Sequence, residues 1–314
     1  MRISVIIPVR NEERYIGTCL SCLVEQTISK NEFEVIVVDN GSTDRSLEVI
    51  DSFRGRLSLA VLKREGGTIA ALRNLGAAAA KGEILSFLDG DCYAEQDWLS
   101  LAAQKAPAGD GIWGAHYRLT EDATWVSRTW NAYQATEVEG ETSFIPSGNL
   151  FIKNGAFRKL HGFDESIATS EDVDICSRAR HLRFAIIAYK ALSVRHAGFP
   201  RTLLDFYRKN RWHGTNVIPN FIRNLPSVRY AGVVGLSLYT FLSFWCLVGS
   251  LFFIVHHPVW PAASLIALVF PPVVLGAWRS RFRSWADAIR LMILYQTYLL
   301  ARAAAILRRA ERPR

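Results

Sequence analysis

The sequence predicts an α/β fold, a mostly parallel sheet with helices on both faces, followed by a C-terminal transmembrane helical hairpin. Three observations predict it. Short, continuously apolar runs alternate with helix-length segments through the N-terminal third. Polar clusters containing Asp, Asn or Glu stand at the ends of three of those runs. Near the C-terminus, Ala231–Val255 and Val259–Trp278 contain no charged residue.

Ile3–Val9 reads as a buried strand and the stretch near Glu13–Val24 as the helix after it. Phe33–Val38 is the second strand, followed by a helix over Thr43–Phe53 for which Ser42 or Thr43 is a plausible cap. Leu57–Lys63 is a third strand, Thr68–Lys81 an Ala-rich helix closed by Gly82, and Glu83–Leu88 a fourth strand. Strands apolar along their whole length are buried on both faces, which a parallel sheet between helix layers provides. Ligands of such sheets bind beyond the carboxyl ends of the strands. Arg10-Asn11-Glu12, Asp39-Asn40-Gly41 and Asp89-Gly90-Asp91 all fall there.

The second part is more mixed. Gly111–Leu119 and Ser147–Lys153 read as strands, and Asp122–Val138 as a helix carrying Trp125 and Trp130. A short Gly155–Leu160 segment leads to the turn Gly162-Phe163-Asp164-Glu165, then a helix over Glu171–Arg183. Phe184–Arg195 holds one or two short strands, and Arg201–Arg223 a basic, aromatic juxtamembrane helix. The expected division is a catalytic domain over 1–229 and a membrane region over 230–314.

An apolar helix crosses a bilayer with about 20 residues, so the segments at 231–255 and 259–278 are both long enough. Basic residues flank them: Arg201, Arg208, Lys209, Arg211, Arg223 and Arg229 before, and Arg279, Arg281 and Arg283 after. Only His256-His257-Pro258 separates the two, so a hairpin with basic ends in the cytoplasm is expected. The stretch at 285–307 is interrupted by Asp287, Arg290, Gln296 and Arg302, which favours an interfacial amphipathic helix over a third span. The N-terminus lacks the pattern of a signal peptide, so the catalytic part is expected in the cytoplasm.

The net charge is +8, and much of the excess lies beside the apolar segments. That placement suits anionic lipid headgroups, and no nucleic-acid motif is present. Five scattered cysteines imply no disulfide framework, and Cys19-x-x-Cys22 has no second pair to complete a zinc site.

Asp89-Gly90-Asp91 carries the most chemistry. Two carboxylates two residues apart at the end of a buried strand suit a hard divalent cation, Mg²⁺ or Mn²⁺, shared with substrate phosphates. A surface turn is the plainer alternative. Ser4-Val5-Ile6-Ile7-Pro8-Val9-Arg10-Asn11-Glu12, Val37-Val38-Asp39-Asn40-Gly41-Ser42-Thr43-Asp44, Arg73-Asn74-Leu75-Gly76 and Phe87-Leu88-Asp89-Gly90-Asp91 occur in that order. Gly162-Phe163-Asp164-Glu165 and Glu171-Asp172-Val173-Asp174 follow. Together, over roughly Arg2 to Gly198, they resemble family 2 glycosyltransferases of the GT-A fold.

The resemblance implies a nucleotide-diphosphate sugar donor, with UDP favoured. It implies that Pro8, Arg10 and Glu12 line the nucleotide pocket and that Asp39 accepts hydrogen bonds from the base. Asn40 stands where many relatives have a second Asp, which removes one charge. Asp39 as a simple turn residue before Gly41 is the alternative. Arg73 would reach the nucleotide or diphosphate, its alternative being a salt bridge on the helix face. Asp89 would contact ribose or metal, Asp91 the metal directly, and His196 would be a third ligand, a structural or acceptor-contacting His being the alternative. Asp172 matches the family's general base and Glu171 an acceptor contact, although acidic residues also stabilise helix N-termini in general. Ser147 and Asn149 resemble the segment facing the donor sugar. Arg208-Lys209-Asn210-Arg211-Trp212 partly resembles the Gln-x-x-Arg-Trp motif of processive synthases, with Arg211 and Trp212 as acceptor contacts. Arg208 replaces Gln there, and anchoring at the lipid surface explains the segment as well.

The function expected is inverting transfer of a sugar to a hydroxyl of a lipid-linked or cell-surface glycan. A polyprenyl-phosphate acceptor and a catalytically inactive membrane scaffold are the alternatives.

Overall fold

The computed structural model describes residues 2–133, 138–214, 228–252, 259–281 and 284–306. The chain divides into two compact units, one from Met1–Glu121 and Ala135–Gly198, the other from Asp122–Gln134 and Phe199–Glu311. The boundary near Gly198 comes earlier in the chain than the expected one at 229.

In the first unit, strands β1 (Ile3–Val9), β2 (Phe33–Asp39), β3 (Leu59–Lys63) and β4 (Ile84–Leu88) alternate with helices α1 (Ile16–Val24), α2 (Ser46–Asp51) and α3 (Ile69–Ala79). They form the parallel half of an eight-stranded sheet of order β3-β2-β1-β4-β9-β6-β10-β8. The remaining strands of that sheet are β6 (Gly111–Gly114), β8 (Gly140–Glu141), β9 (Asn149–Lys153) and β10 (Ala185–Ala188). β9 runs antiparallel between β4 and β6. Helices α4 (Trp98–Gln104), α6 (Asn154–Lys159) and α7 (Glu171–His181) complete the layers. A second sheet of order β5-β11-β7 joins Cys92–Tyr93, Arg195–His196 and Arg118–Leu119.

Both faces of the large sheet are buried at β1, β2 and β4, which explains their unbroken apolar runs, while the edge strand β3 is partly exposed. Ile3, Val5, Ile7 and Val9 pack with Leu20, Trp98 and Trp113 on one face. Ile6, on the other, packs with Phe87, Phe157 and Phe163. α1 meets the sheet through Ile16, Cys19, Leu20 and Leu23, a stripe at helical spacing. Thr68 caps α3 by accepting from the Ala71 amide at 3.3 Å. Ser42 and Thr43 are not the cap of α2; they lie in the loop that tethers Asn11.

The expected strand Gly111–Leu119 is broken in two. At Gly114 the backbone passes so close to the Asn149 carbonyl that a Cβ would overlap it, and the chain leaves the large sheet for the small one. The long helix expected over Asp122–Val138 appears as α5 (Trp125–Ala132), residues 134–137 of it lying outside the described residues.

The second unit contains α5, α8 (Leu203–Gly214), α9 (Val228–Leu251), α10 (Val259–Ser280) and α11 (Trp285–Ile306). Trp130 of α5 packs edge-on to Phe206 of α8 at 4.9 Å and to Tyr295 of α11 at 5.5 Å. That aromatic cluster places α5 and α8 with the C-terminal helices. The expected juxtamembrane helix over 201–223 is described as far as Gly214. Ala231–Leu251 and Val259–Ser280 are each long and apolar enough to cross a bilayer. The connection at 256–258 and the basic tail after 307 lie outside the described residues. Leu242, Phe252, Ile266, Phe270 and Trp278 are exposed on this helical pair. Where an interfacial helix is expected over 285–307, α11 runs over Trp285–Ile306 and buries Ala288, Leu291, Leu294 and Leu299 on its apolar side. Gly276 of α10 approaches Met292 so closely that a Cβ would lie 2.7 Å from its Cγ.

Beyond α3, a Cβ at Gly82 would lie 2.6 Å from the Ser4 nitrogen and 2.7 Å from the Ile3 carbonyl carbon, backbone that β1 holds in place. Gly82→Ala is therefore expected to destabilise the fold by roughly 1–3 kcal/mol, measured by thermal unfolding in detergent.

Candidate active site

Three strand ends of the first unit meet in one region. After β1, Asn11 adopts a positive φ of 57°. Its amide donates to Ser42 Oγ at 3.0 Å and its side-chain oxygen accepts from the Thr43 amide at 2.8 Å. The Glu12 amide donates to Ser46 Oγ at 2.7 Å. These bonds lace the loop after β1 to the loop after β2. Asp39, at the end of β2, is buried, and its carboxylate accepts from the amides of Gly41 and Ser42 at 3.1 and 3.3 Å. Pro8 is buried inside β1, Glu12 is half-buried and Arg10 is exposed.

The centre of the region is Arg73 on α3, 1% exposed. It donates to Asp89 Oδ1 and to Glu171 Oε1, each at 2.6 Å. Burial opposes its charge, but Asp89 and Glu171 outweigh that and push the guanidinium above its ordinary pKa. Ser147 Oγ also donates to Glu171 Oε1, at 2.8 Å. Arg73 is thus not a solvent-facing arm for phosphate. It is an interior cation bonded to one carboxylate at the end of β4 and another at the start of α7. Glu171 likewise spends its carboxylate on Arg73 and Ser147, not on a surface contact.

Asn74, beside Arg73, clasps the next motif. Its amide donates to the Phe163 carbonyl at 2.9 Å and its oxygen accepts from the Phe163 amide at 2.9 Å. Gly162 makes that turn possible with a φ of 70°. Arg178 of α7 donates to the carbonyls of Leu160 and Gly162 and pairs with Asp174, tying α7 to the same turn.

Asp172 stands half-buried in the first turn of α7. It accepts from the Val173 amide at 2.8 Å and the Ser147 amide at 3.4 Å. Burial, then the neighbouring Glu171 carboxylate, pushes its pKa up to about 7, while Arg73 and the two amides act the other way. A carboxylate poised near neutrality is suited to take a proton.

The Gly148 segment is fitted closely against Asp89. The Asp89 amide donates to the Gly148 carbonyl at 3.3 Å, and a Cβ on Gly148 would overlap the Asp89 carboxylate. The Gly148 amide in turn donates to the Tyr117 hydroxyl at 3.1 Å. Asn149 is turned inward. Its amide donates to the carbonyls of Ala115 and Leu192, and its oxygen accepts from Trp98 Nε1 at 3.1 Å. With no exposed surface, it braces the loop instead of facing a sugar. Ser147 is also buried, at 3%.

Asp91, Cys92 and His196 bring one ligand atom each to within 4.8 Å of one another. His196 Nε2 lies 3.7 Å from Asp91 Oδ1, and the Tyr117 ring packs edge-on to the imidazole at 4.7 Å. A Cβ on Gly198 would overlap Asp91 Oδ2, so only glycine leaves that carboxylate its place. Carboxylate and imidazole donors fit a divalent cation. Asp89, expected to contact ribose or metal, is not in this group of three; its Oδ1 accepts from Arg73 at 2.6 Å. Burial, reinforced by Asp91 and Asp89, raises the Cys92 pKa well above the ordinary thiol value. Arg211 and Trp212 belong to the second unit, Trp212 45% exposed and packed on His213 at 4.7 Å.

The model of "Glycosyl transferase family 2" matches residues 4–161, which is half of the chain, and that of "Glycosyl transferase family group 2" matches residues 107–298. The chain belongs to glycosyl transferase family 2. Among its relatives, Glycosyltransferase AglE of Haloferax volcanii is 31% identical over 192 residues, covering 59% of this chain and 63% of that protein. Poly(ribitol-phosphate) beta-N-acetylglucosaminyltransferase TarS of Staphylococcus aureus is 40% identical over 105 residues, covering 33% of this chain and 18% of that one. The chain therefore spans less than two thirds of the length of these curated relatives. In fold, this family member is similar to a mannosyltransferase from Pyrobaculum calidifontis solved with GDP-Man and Mn²⁺. The TM-score is 0.66 at 19% identity, over 99% of this chain and 88% of that one. S. aureus TarS 1-349, solved with UDP-GlcNAc, gives 0.51 at 18% identity, over 97% and 90%. At these identities the likeness is one of fold, and it places the chain among GT-A-like structures.

In this member of glycosyl transferase family 2, nothing in the sequence pattern marks Tyr117, Asn74 as a clasp, or Cys92. The spacing of Arg73-Asn74 to the Gly162 turn gives no sign of the clasp, because the two are brought together only by packing of α3 on the sheet. Arg73→Gln leaves Glu171 buried without its cation, and is expected to cost about 3–5 kcal/mol, with Arg73→Lys costing less. Thermal unfolding of both variants in detergent checks this.

Proposed function

We propose that this glycosyltransferase moves a sugar from a nucleotide-diphosphate donor, UDP-linked by preference, to a hydroxyl of a lipid-linked or cell-surface glycan acceptor, with inversion. The observation that carries the reading is the bonded path from Asp172 through Ser147, Glu171 and Arg73 to Asp89. It joins a near-neutral carboxylate to the acidic loop at the end of β4. The neighbours of similar fold solved with GDP-Man and with UDP-GlcNAc support a nucleotide-sugar donor. The Mn²⁺ in the first supports a divalent cation here too, held by Asp91 and His196.

The nucleotide would lie over the laced loops after β1 and β2. Arg10 and Glu12 offer side chains there, while Pro8 and Asp39 shape the floor from within. A bound cation would supply positive charge against the diphosphate. The acceptor oxygen attacks the anomeric carbon as Asp172 takes its proton, and the nucleoside diphosphate leaves with the bonding electrons. One in-line displacement inverts the anomeric centre. Arg73 keeps Glu171 and Asp89 in place and limits how far the pKa of Asp172 rises. Arg211 and Trp212 are acceptor-side candidates on α8.

The apolar helices α9 and α10 would anchor the enzyme as a membrane hairpin, with the catalytic unit in the cytoplasm and the basic flanks on anionic lipid. Transfer at the bilayer then suits an acceptor carried by lipid. A polyprenyl-phosphate acceptor is already an anion and needs no base, so the raised Asp172 pKa favours a hydroxyl acceptor.

Two measurements test this. Calorimetry of UDP, GDP and dTDP with and without Mn²⁺ should give metal-dependent binding of one nucleotide, lost in Asp91→Asn; no binding to any of them would sink the donor site. Asp172→Asn should bind that nucleotide normally but lose roughly 10²–10⁴-fold in transfer rate, and near-normal turnover would point to a phosphate acceptor. Because Asp172 works only when ionised and its pKa is raised to about 7, the wild-type rate should climb with pH through that value and level off above it.

A further inference from the structure

The acidic loop also carries a thiol for which the transfer chemistry has no use. Cys92 follows Asp91 at the start of β5, and the antiparallel register sets it opposite His196 of β11. Cys92 Sγ lies 3.9 Å from Asp91 Oδ1, and His196 Nε2 lies 3.7 Å from the same oxygen. Ligands at 2.0–2.3 Å from a tetrahedral ion are separated by roughly 3.3–3.8 Å. The two spacings to Asp91 Oδ1 are therefore within a few tenths of an ångström of that geometry, and the sulfur and the imidazole nitrogen lie within 4.8 Å of each other. Strand pairing holds both backbones, so closing the set on an ion falls to side-chain rotation alone. The chemistry of the set is also unlike that of a hard-cation site, which carboxylates and waters serve. One oxygen, one nitrogen and one sulfur donor favour a borderline or soft ion.

We propose that Asp91, Cys92 and His196 form a three-ligand site that takes Zn²⁺, and thiophilic Cd²⁺, in preference to the hard cation of the transfer reaction. This rests on the assignment of Asp91 and His196 to the cation position in the function proposed above. As the sulfur–metal bond forms, the Cys92 S–H proton passes to solvent. The ion's charge offsets a thiolate that Asp89 and Asp91 would otherwise repel. Three protein ligands leave a fourth tetrahedral position for water or a diphosphate oxygen. Zn²⁺ and Mn²⁺ then compete for one place.

The test is titration of the full chain in detergent with Cd²⁺, following the thiolate-to-cadmium charge-transfer band, beside Mn²⁺ binding read by electron paramagnetic resonance. Wild type should develop a band equivalent to one thiolate. Cys92→Ser should lose it and weaken Cd²⁺ binding by roughly tenfold or more, with Mn²⁺ affinity changed by less than about twofold. A band that survives in Cys92→Ser, or is absent from wild type, overturns the proposal. Mn²⁺ binding without a cadmium band leaves the transfer reading intact and removes the thiol site alone. A cadmium band without Mn²⁺ binding does the reverse, keeping the thiol site while the hard-cation assignment fails. Should Cys92→Ser not fold, X-ray absorption of the Zn²⁺-loaded wild type decides. One sulfur at about 2.3 Å supports the site, and a shell of nitrogen and oxygen only refutes it.

Discussion

The guanidinium of Arg73 is the charge around which the first unit is organised. A cation taken out of water is unfavourable unless carboxylates meet it with good geometry, and here two do, at 2.6 Å each. One belongs to the loop after β4 and the other to the first turn of α7. Asp89 is 16 residues from Arg73 and Glu171 is 98, so a single side chain ties the acidic loop and α3 to the distant α7. It also tunes the chemistry. Asp172 sits beside Glu171 and would be raised further without the nearby positive charge.

Around that charge the loops are held by backbone and side-chain bonds more than by bulk packing. Asn11 ties the end of β1 to the loop after β2, and Asn149 ties the start of β9 to Trp98 of α4 and to the carbonyls of Ala115 and Leu192. Glycines at 148 and 198 let backbone approach Asp89 and Asp91 where any side chain would collide. Preorganisation of this kind holds the acidic groups in position before any ligand arrives. The small β5-β11-β7 sheet adds His196 to the rim, by pairing that nothing in the large sheet requires.

The second unit follows another rule. Its helices α9 and α10 expose Leu242, Phe252, Ile266, Phe270 and Trp278, more apolar surface than water favours on one face. Helix α11 is unlike them, for its apolar side is buried and Gly276 allows α10 to approach it closely. The charges that interrupt 285–307 set it apart in the sequence from the two apolar helices, but periodicity cannot say whether an apolar stripe meets lipid or a neighbouring helix.

By itself the sequence determined the alternating strands and helices of the N-terminal third, the two apolar helices, and the polar clusters at the carboxyl ends of β1, β2 and β4. These follow from local periodicity and from residues adjacent in the chain. Asp91 and His196 were both named from sequence, yet their meeting depends on a strand pair that no spacing encodes. Only the tertiary structure decided that Arg73 and Glu171 bond each other, that Asn149 and Pro8 face inward, that Cys92 lies beside Asp91 and His196, and that α5 and α8 join the C-terminal helices. Each of those outcomes depends on which long-range contacts bury a charge or satisfy a polar group. That competition is resolved by packing in three dimensions, where residues a hundred positions apart become neighbours.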